Sequence, residues 1–121
     1  MTGRVDGDGH ALIQLLVFHP RTHQSTVVLD VWIATGFTGP LALPGATIAN
    51  LGLQQSAKVP GELADGTKVL LDTFTCLIDW FGQIIQVEAV AKKGTWPLIG
   101  IGLLLDHELA IDYRKRSVSI T

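Results

Sequence analysis

Apolar and polar side chains alternate with a period of two over most of this chain, and stretches with helical spacing are scarce. Successive residues of a strand face opposite sides of a sheet, so this pattern builds half-buried sheet rather than helical layers. Ala11 to His19 and Ser25 to Ile33 read as an antiparallel hairpin joined through Pro20 to Gln24. Gln55 to Leu63 and Thr67 to Trp80 read as a second hairpin around Ala64-Asp65-Gly66, whose Asp-Gly pair is a strong turn signal. Phe81-Gly82 turns the chain again into Gln83 to Ala91. After a loop from Lys92 to Trp96, Pro97 to Ile101 reads as a buried strand and Gly102 to His107 as a helical turn. Glu108 to Tyr113 and Ser117 to Thr121 close the chain as strands. A short helix is expected between Pro44 and Leu53, with Pro44 in its first turn, Ile48 and Leu51 on one face, and Gly52 as its stop.

At 121 residues the chain is one domain, spanning 1–121. It is 47% hydrophobic and 17% charged, which excludes disorder and leaves more apolar surface than so short a chain easily covers; burial against a second copy is the expected outlet. A net charge of −2 provides no field for a phosphate backbone, so no nucleic-acid partner is expected. Arg114, Lys115 and Arg116 read as a solvated corner. The lone Cys76 reads as a small core residue and fits a reducing, cytoplasmic setting. The first ten residues lack an apolar targeting core, and the longest apolar runs are too short for a membrane span.

Several motifs carry little chemistry. Asp6-Gly7-Asp8-Gly9 resembles the opening of a calcium loop without its later oxygen ligands and reads as a flexible turn. His19 and His23 have helical metal spacing, but Pro20 lies between them in a hairpin turn, so no metal is expected. His10 and His107 read as surface residues, Gly100-Ile101-Gly102 lacks the third glycine of a dinucleotide fingerprint, and Trp32, Trp80 and Trp96 read as core or interface anchors. No cofactor is expected. One internal echo stands out: Trp32-Ile33-Ala34-Thr35-Gly36 and Pro97-Leu98-Ile99-Gly100-Ile101-Gly102 are both apolar strands ending in a small-residue loop with a short helix to follow.

The stretch from Asp30 to Pro44, with Ala34-Thr35-Gly36-Phe37-Thr38-Gly39 at its centre, resembles the active-site segment of retropepsin-like aspartic proteases, particularly a small bacterial group with an Asp-Thr-Gly-Phe-Thr-Gly signature. Ile48 to Leu53 resembles the helix after that loop, Leu63-Ala64-Asp65-Gly66 the flap, and Leu98 to Leu104 the second hydrophobic-hydrophobic-Gly motif, in family order over nearly the whole chain. The resemblance implies an all-β acid-protease barrel with one or two short helices, acting as a homodimer on an extended peptide. It also implies roles: Thr35 bracing two active-site loops across the dimer, Gly36 allowing close approach of the second loop, Phe37, Ala64, Asp65 and Gly66 contacting substrate, and Gly100 packing behind the loop. Ala34 stands where the family has its catalytic aspartate. A methyl group neither takes a proton nor holds an attacking water, so this form is expected to be inactive. Because Thr35 to Gly39 stay family-like, Ala34 reads as one isolated change, which suits a deliberate inactivation; a recent natural loss gives the same sequence. A natural pseudoprotease, binding peptide or dimerising without chemistry, is the alternative reading.

Overall fold

A computed structural model describes residues 1–22 and 25–121; His23, with its expected spacing to His19, and Gln24 lie outside the described residues. The strands are β1 (Thr2–Val5), β2 (Ala11–Phe18), β3 (Thr26–Ile33), β4 (Leu41–Pro44), β5 (Gln55–Glu62), β6 (Lys68–Trp80), β7 (Gln83–Lys92), β8 (Leu98–Ile99), β9 (Leu109–Asp112) and β10 (Ser117–Ile120), with helices α1 (Gly45–Leu51) and α2 (Ile101–Leu104).

Six strands close on themselves in the order β6-β7-β4-β8-β3-β2, the ring being completed where Val17 and Phe18 of β2 pair with Ile78 and Leu77 of β6. The period of two explains the interior: Ile13, Leu15 and Val17, Val31 and Ile33, Cys76 and Ile78, and Val87 and Ala89 point inward and are buried. Closure leaves β6, in the ring, free to carry β5 outward as a hairpin, while β1, β10 and β9 extend the sheet from β2. At the terminal strands the Met1 ammonium donates to the Ile120 carbonyl at 2.9 Å.

Turn chemistry follows the sequence closely. Phe81 (φ 54°) and Gly82 (φ 78°) both take the left-handed conformation that matches the twist of a two-residue hairpin, and Asp79 accepts the Gly82 N–H at 2.9 Å. Gly52 ends α1 at φ 67°, its N–H donating to Ala49 and that of Leu53 to Ile48. The all-β barrel with two short helices is as expected, and the differences are local. β1 falls in the polar opening and β4 in residues 41–44, where Pro44, expected in the first turn of the helix, instead ends the strand and caps α1; each strand has too few residues to show a period. β8 stops at Ile99 and α2 begins at Ile101, because the Leu103 and Leu105 N–H groups bond back to Gly100 and Ile101.

Candidate active site

β3 and β8 lie side by side and parallel, with Trp32 opposite Leu98 and Ile33 opposite Ile99. Both strands end together, so the loops that follow meet. The Ala34 N–H donates to Ile99 O at 2.9 Å, and the Phe37 N–H closes the first loop on Ala34 O at 3.0 Å. Three bonds then stitch the second loop to the first: Gly100 N–H to Pro40 O (3.2 Å), Ile101 N–H to Phe37 O (2.8 Å) and Gly102 N–H to Gly39 O (3.1 Å). The sequence echo is therefore two loops bonded back to back.

Glycine is demanded at Gly100 by space alone. A Cβ there would collide with the carbonyl oxygens of Phe37 and Gly39, and one at Gly102 would meet the Pro40 backbone. Gly36 is different: it is exposed, with open space around its Cα. Thr35 beside it is exposed too, and Ala34 is half-buried. Thr35 and Gly36 thus point away from the stitched seam, at the open end of the loop.

A cleft of about 650 Å³ runs between this loop and the β5–β6 hairpin. Gly36, Phe37, Thr38 and Gly39 form one wall, and residues 59–64 with Gly66 form the other. Phe37, Gly36, Ala64 and Gly66 thus meet across one space. Asp65 lies outside the lining: its carboxylate accepts the Thr67 N–H at 2.9 Å and shapes the turn, and bonds from the Thr67 hydroxyl and N–H hold it below the usual carboxylate range. Gly66 takes φ 86°, as the turn requires.

Trp32, two residues before position 34, belongs to an aromatic group drawn from three segments of the chain. The imidazole of His10 sits edge-on to Trp32 (centroids 4.4 Å apart) and tilted against Trp96 (4.6 Å), and Trp32 remains partly exposed. Asp6 fixes that imidazole, with Nδ1 2.8 and 3.0 Å from its two oxygens, and accepts the Asp8 and His10 N–H groups. His10 is thus a packed residue held by Asp6 rather than a free surface one, and the Asp-Gly-Asp-Gly segment is a turn ordered by Asp6. Asp6, Asp8 and His10 lie close enough to share a cation, but both Asp6 oxygens already contact His10. His107 also has partners: it stacks on Phe81 at 4.7 Å and accepts from the Trp80 indole at 3.4 Å. The sequence around residues 6–10 carries no signal of the His10 contacts, since they join three separate segments.

Three further aspartates are engaged elsewhere. Asp30 pairs with Arg4 at 3.4 Å, Asp72 with Lys58 at 2.6 Å, and Asp79 caps the β6–β7 turn. Cys76 is fully buried, and burial, with the nearby Glu88 charge, pushes its thiol up to about 12. Among the described residues, no helix is long and apolar enough to cross a membrane.

No family model matches the sequence, and no curated protein matches it. Solved structures do. A retropepsin-like aspartic protease from Rickettsia conorii superposes with a TM-score of 0.64 at 19% identity, over 98% of this chain and 86% of that one. The EIAV protease, solved with an inhibitor, superposes with a TM-score of 0.58 at 17% identity, over 84% of this chain and 90% of that one. The fold is that of the retropepsin-like aspartic proteases.

Proposed function

We propose that this chain is one half of a retropepsin-type aspartic endopeptidase, a homodimer with one position 34 per subunit, and that it is inert in this form because that position is alanine. The observation that carries the reading is the pair of stitched loops, which hold position 34 in the loop whose residues 36–39 wall a cleft of about 650 Å³, and leave Thr35 and Gly36 exposed. A residue loop so tightly held beneath and so open above is the shape expected of one that meets a twin across a two-fold axis. The β5–β6 hairpin then serves as a flap, whose main-chain groups pair with peptide as an added strand does. We place the protein in the cytoplasm, where a free thiol such as Cys76 persists.

Hydrolysis in such a dimer needs two facing carboxyl groups that share a proton, because like charges so close do not both ionise. The ionised one removes a proton from water, whose oxygen bonds to the peptide carbonyl carbon. The protonated one donates to the carbonyl oxygen, and proton return to the nitrogen releases the amine as the C–N bond breaks. Two Ala34 methyl groups leave binding intact and remove both proton-transfer groups. Peptide binding without chemistry, the pseudoprotease reading, is favoured by that same alanine in an otherwise complete cleft.

The test is Ala34→Asp, assayed for cleavage of a mixed peptide pool from acidic to neutral pH, with sedimentation of both forms. Cleavage blocked by a transition-state mimic supports the endopeptidase. Persistent inertness with retained peptide binding supports the module. A monomer at all concentrations that binds no peptide overturns both.

A further inference from the structure

The β5–β6 hairpin is held to the barrel at one level only. β6 pairs with β5 from Lys68 to Phe74 but with β7 only from Thr73 onward, so residues 57–62 and 68–72 form a two-stranded ribbon with no third strand. Such a ribbon is marginal by itself, and its direction is set by its root. At that root β5 has its one irregularity, a bulge between Gln55 and Ala57 that leaves Ser56 out of the ladder.

The displaced Ser56 is tied down by side chains. Its Oγ lies 2.7 Å from Glu88 Oε2 and 2.9 Å from Thr73 Oγ1, and the Thr75 hydroxyl donates to the same carboxylate at 2.8 and 3.0 Å. Thr73 is the buried polar residue of the described chain, and it sits at the step where β6 gains β7. The directions are mutually consistent: Thr73 Oγ1–H to Ser56 Oγ, Ser56 Oγ–H to Glu88, and Thr75 Oγ1–H to Glu88. One carboxylate on β7 therefore gathers hydroxyls from β5 and β6 at the point where the three strands part.

We propose that Glu88 and Ser56 are positioning residues that set the angle of the hairpin over the cleft, and so how long a bound peptide stays. The proposal rests on the reading that the cleft holds peptide, but its first test does not. Glu88→Gln keeps the shape, removes the charge, and replaces one acceptor oxygen by a donor that cannot receive the hydroxyls. Ser56→Ala removes the Glu88 carboxylate's link to β5 while Thr73 Oγ1 remains 3.3 Å from Ala57 O, and Ser56→Thr restores a hydroxyl.

Hydrogen exchange read residue by residue separates positioning from general weakening. Ser56 and Glu88 are exposed, and solvent-screened polar pairs of this kind correspond to a change of about two- to fivefold. Exchange at the amides of residues 57–59, 61–63 and 68–72 is expected to quicken about two- to fivefold in Glu88→Gln and Ser56→Ala, with Ile33 and Ile99 unchanged and Ser56→Thr close to the parent. Exchange unchanged in the ribbon, or quickened equally through the barrel, overturns the proposal. With a peptide from the pool that binds the parent, the two variants are expected to raise the dissociation rate severalfold and leave association unaltered. If no peptide binds at all, the functional reading fails while the exchange data still judge the anchor; if peptide binds and leaves at the parent rate, the anchor's role in retention fails alone.

Discussion

Replacing Gly100 by alanine isolates the seam between the two loops. Gly100 has an ordinary extended backbone (φ −127°), so alanine loses nothing in conformational preference there. The cost is steric and falls on main chain, since the new methyl meets the Phe37 and Gly39 carbonyls, which cannot swing aside as a side-chain end would. Overpacking of this kind costs ~1–3 kcal/mol. Moving the first loop also strains the three bonds from Gly100, Ile101 and Gly102, each with a net value of ~1 kcal/mol. A loss of about 3 kcal/mol results if only part of that network breaks. With an unfolding entropy of ~2.1 cal/mol/K per residue, a chain of this size loses ~4 °C of Tm per kcal/mol, so Gly100→Ala is expected to melt about 12 °C lower. The paired control is Gly36→Ala, where the Cβ meets open space, so the expected change is within ~0.5 kcal/mol, about 2 °C. Calorimetry at a concentration low enough to dissociate any dimer makes the comparison. Gly100→Ala melting within 2 °C of the parent refutes the steric argument. At high concentration the order of interest reverses: Gly36→Ala weakens self-association severalfold if its exposed face meets a second loop, and unchanged sedimentation refutes that contact.

Three further outcomes follow from particular groups. Ala34→Asp is expected to gain peptide cleavage and, in the dimer, to be no more stable than the parent near neutral pH. Two facing carboxyls raise one folded-state pKa, so the variant gains relative stability as pH falls from neutral; melting curves at pH 7 and pH 5 check the sign. Asp65 runs the other way. Its lowered pKa gives the Thr67 turn support that is present above the ordinary carboxylate pKa and lost as pH falls through the lowered one, so the protection of the Thr67 amide relative to its intrinsic exchange rate at each pH is expected to fall on acidification, with no such fall in Asp65→Ala. Cys76, buried and pushed up to about 12, is expected to resist alkylation in the native protein and react fully in denaturant; mass spectrometry after reagent exposure distinguishes the two.

The long hairpins were legible because each carries enough alternation, and enough turn chemistry at Asp65-Gly66 and Phe81-Gly82, to fix period and ends together. α1 was legible from Pro44 and Gly52, which bracket it. β1 and β4 were not, since four residues contain barely two repeats and their pairing is decided by strands distant in sequence. For the site, Ala34, Gly36 and Gly100 were found through the resemblance and the echo between two loops; spacing alone makes each an ordinary turn residue. The His10–Trp32–Trp96 group and the Glu88 root were invisible for separate physical reasons. The first joins a loop at residue 10, strand β3 and a loop at residue 96, which no local pattern brings together; at the second, the Phe81-Gly82 turn sets Thr75 opposite Glu88, but the bulge that displaces Ser56 toward them leaves no mark in the alternation.

The parallel pairing of β3 with β8 bears on the order in which the molecule assembles. The hairpins β2–β3, β5–β6 and β6–β7 join neighbours in sequence and close short loops, whereas β3–β8 and β1–β10 unite opposite halves of the chain and must await long-range closure. Both loops around position 34 hang on that late pairing. A nascent chain is therefore expected to have its ribbon and turns before it has a cleft floor, and the loop around position 34 is expected to be complete only when the whole barrel is.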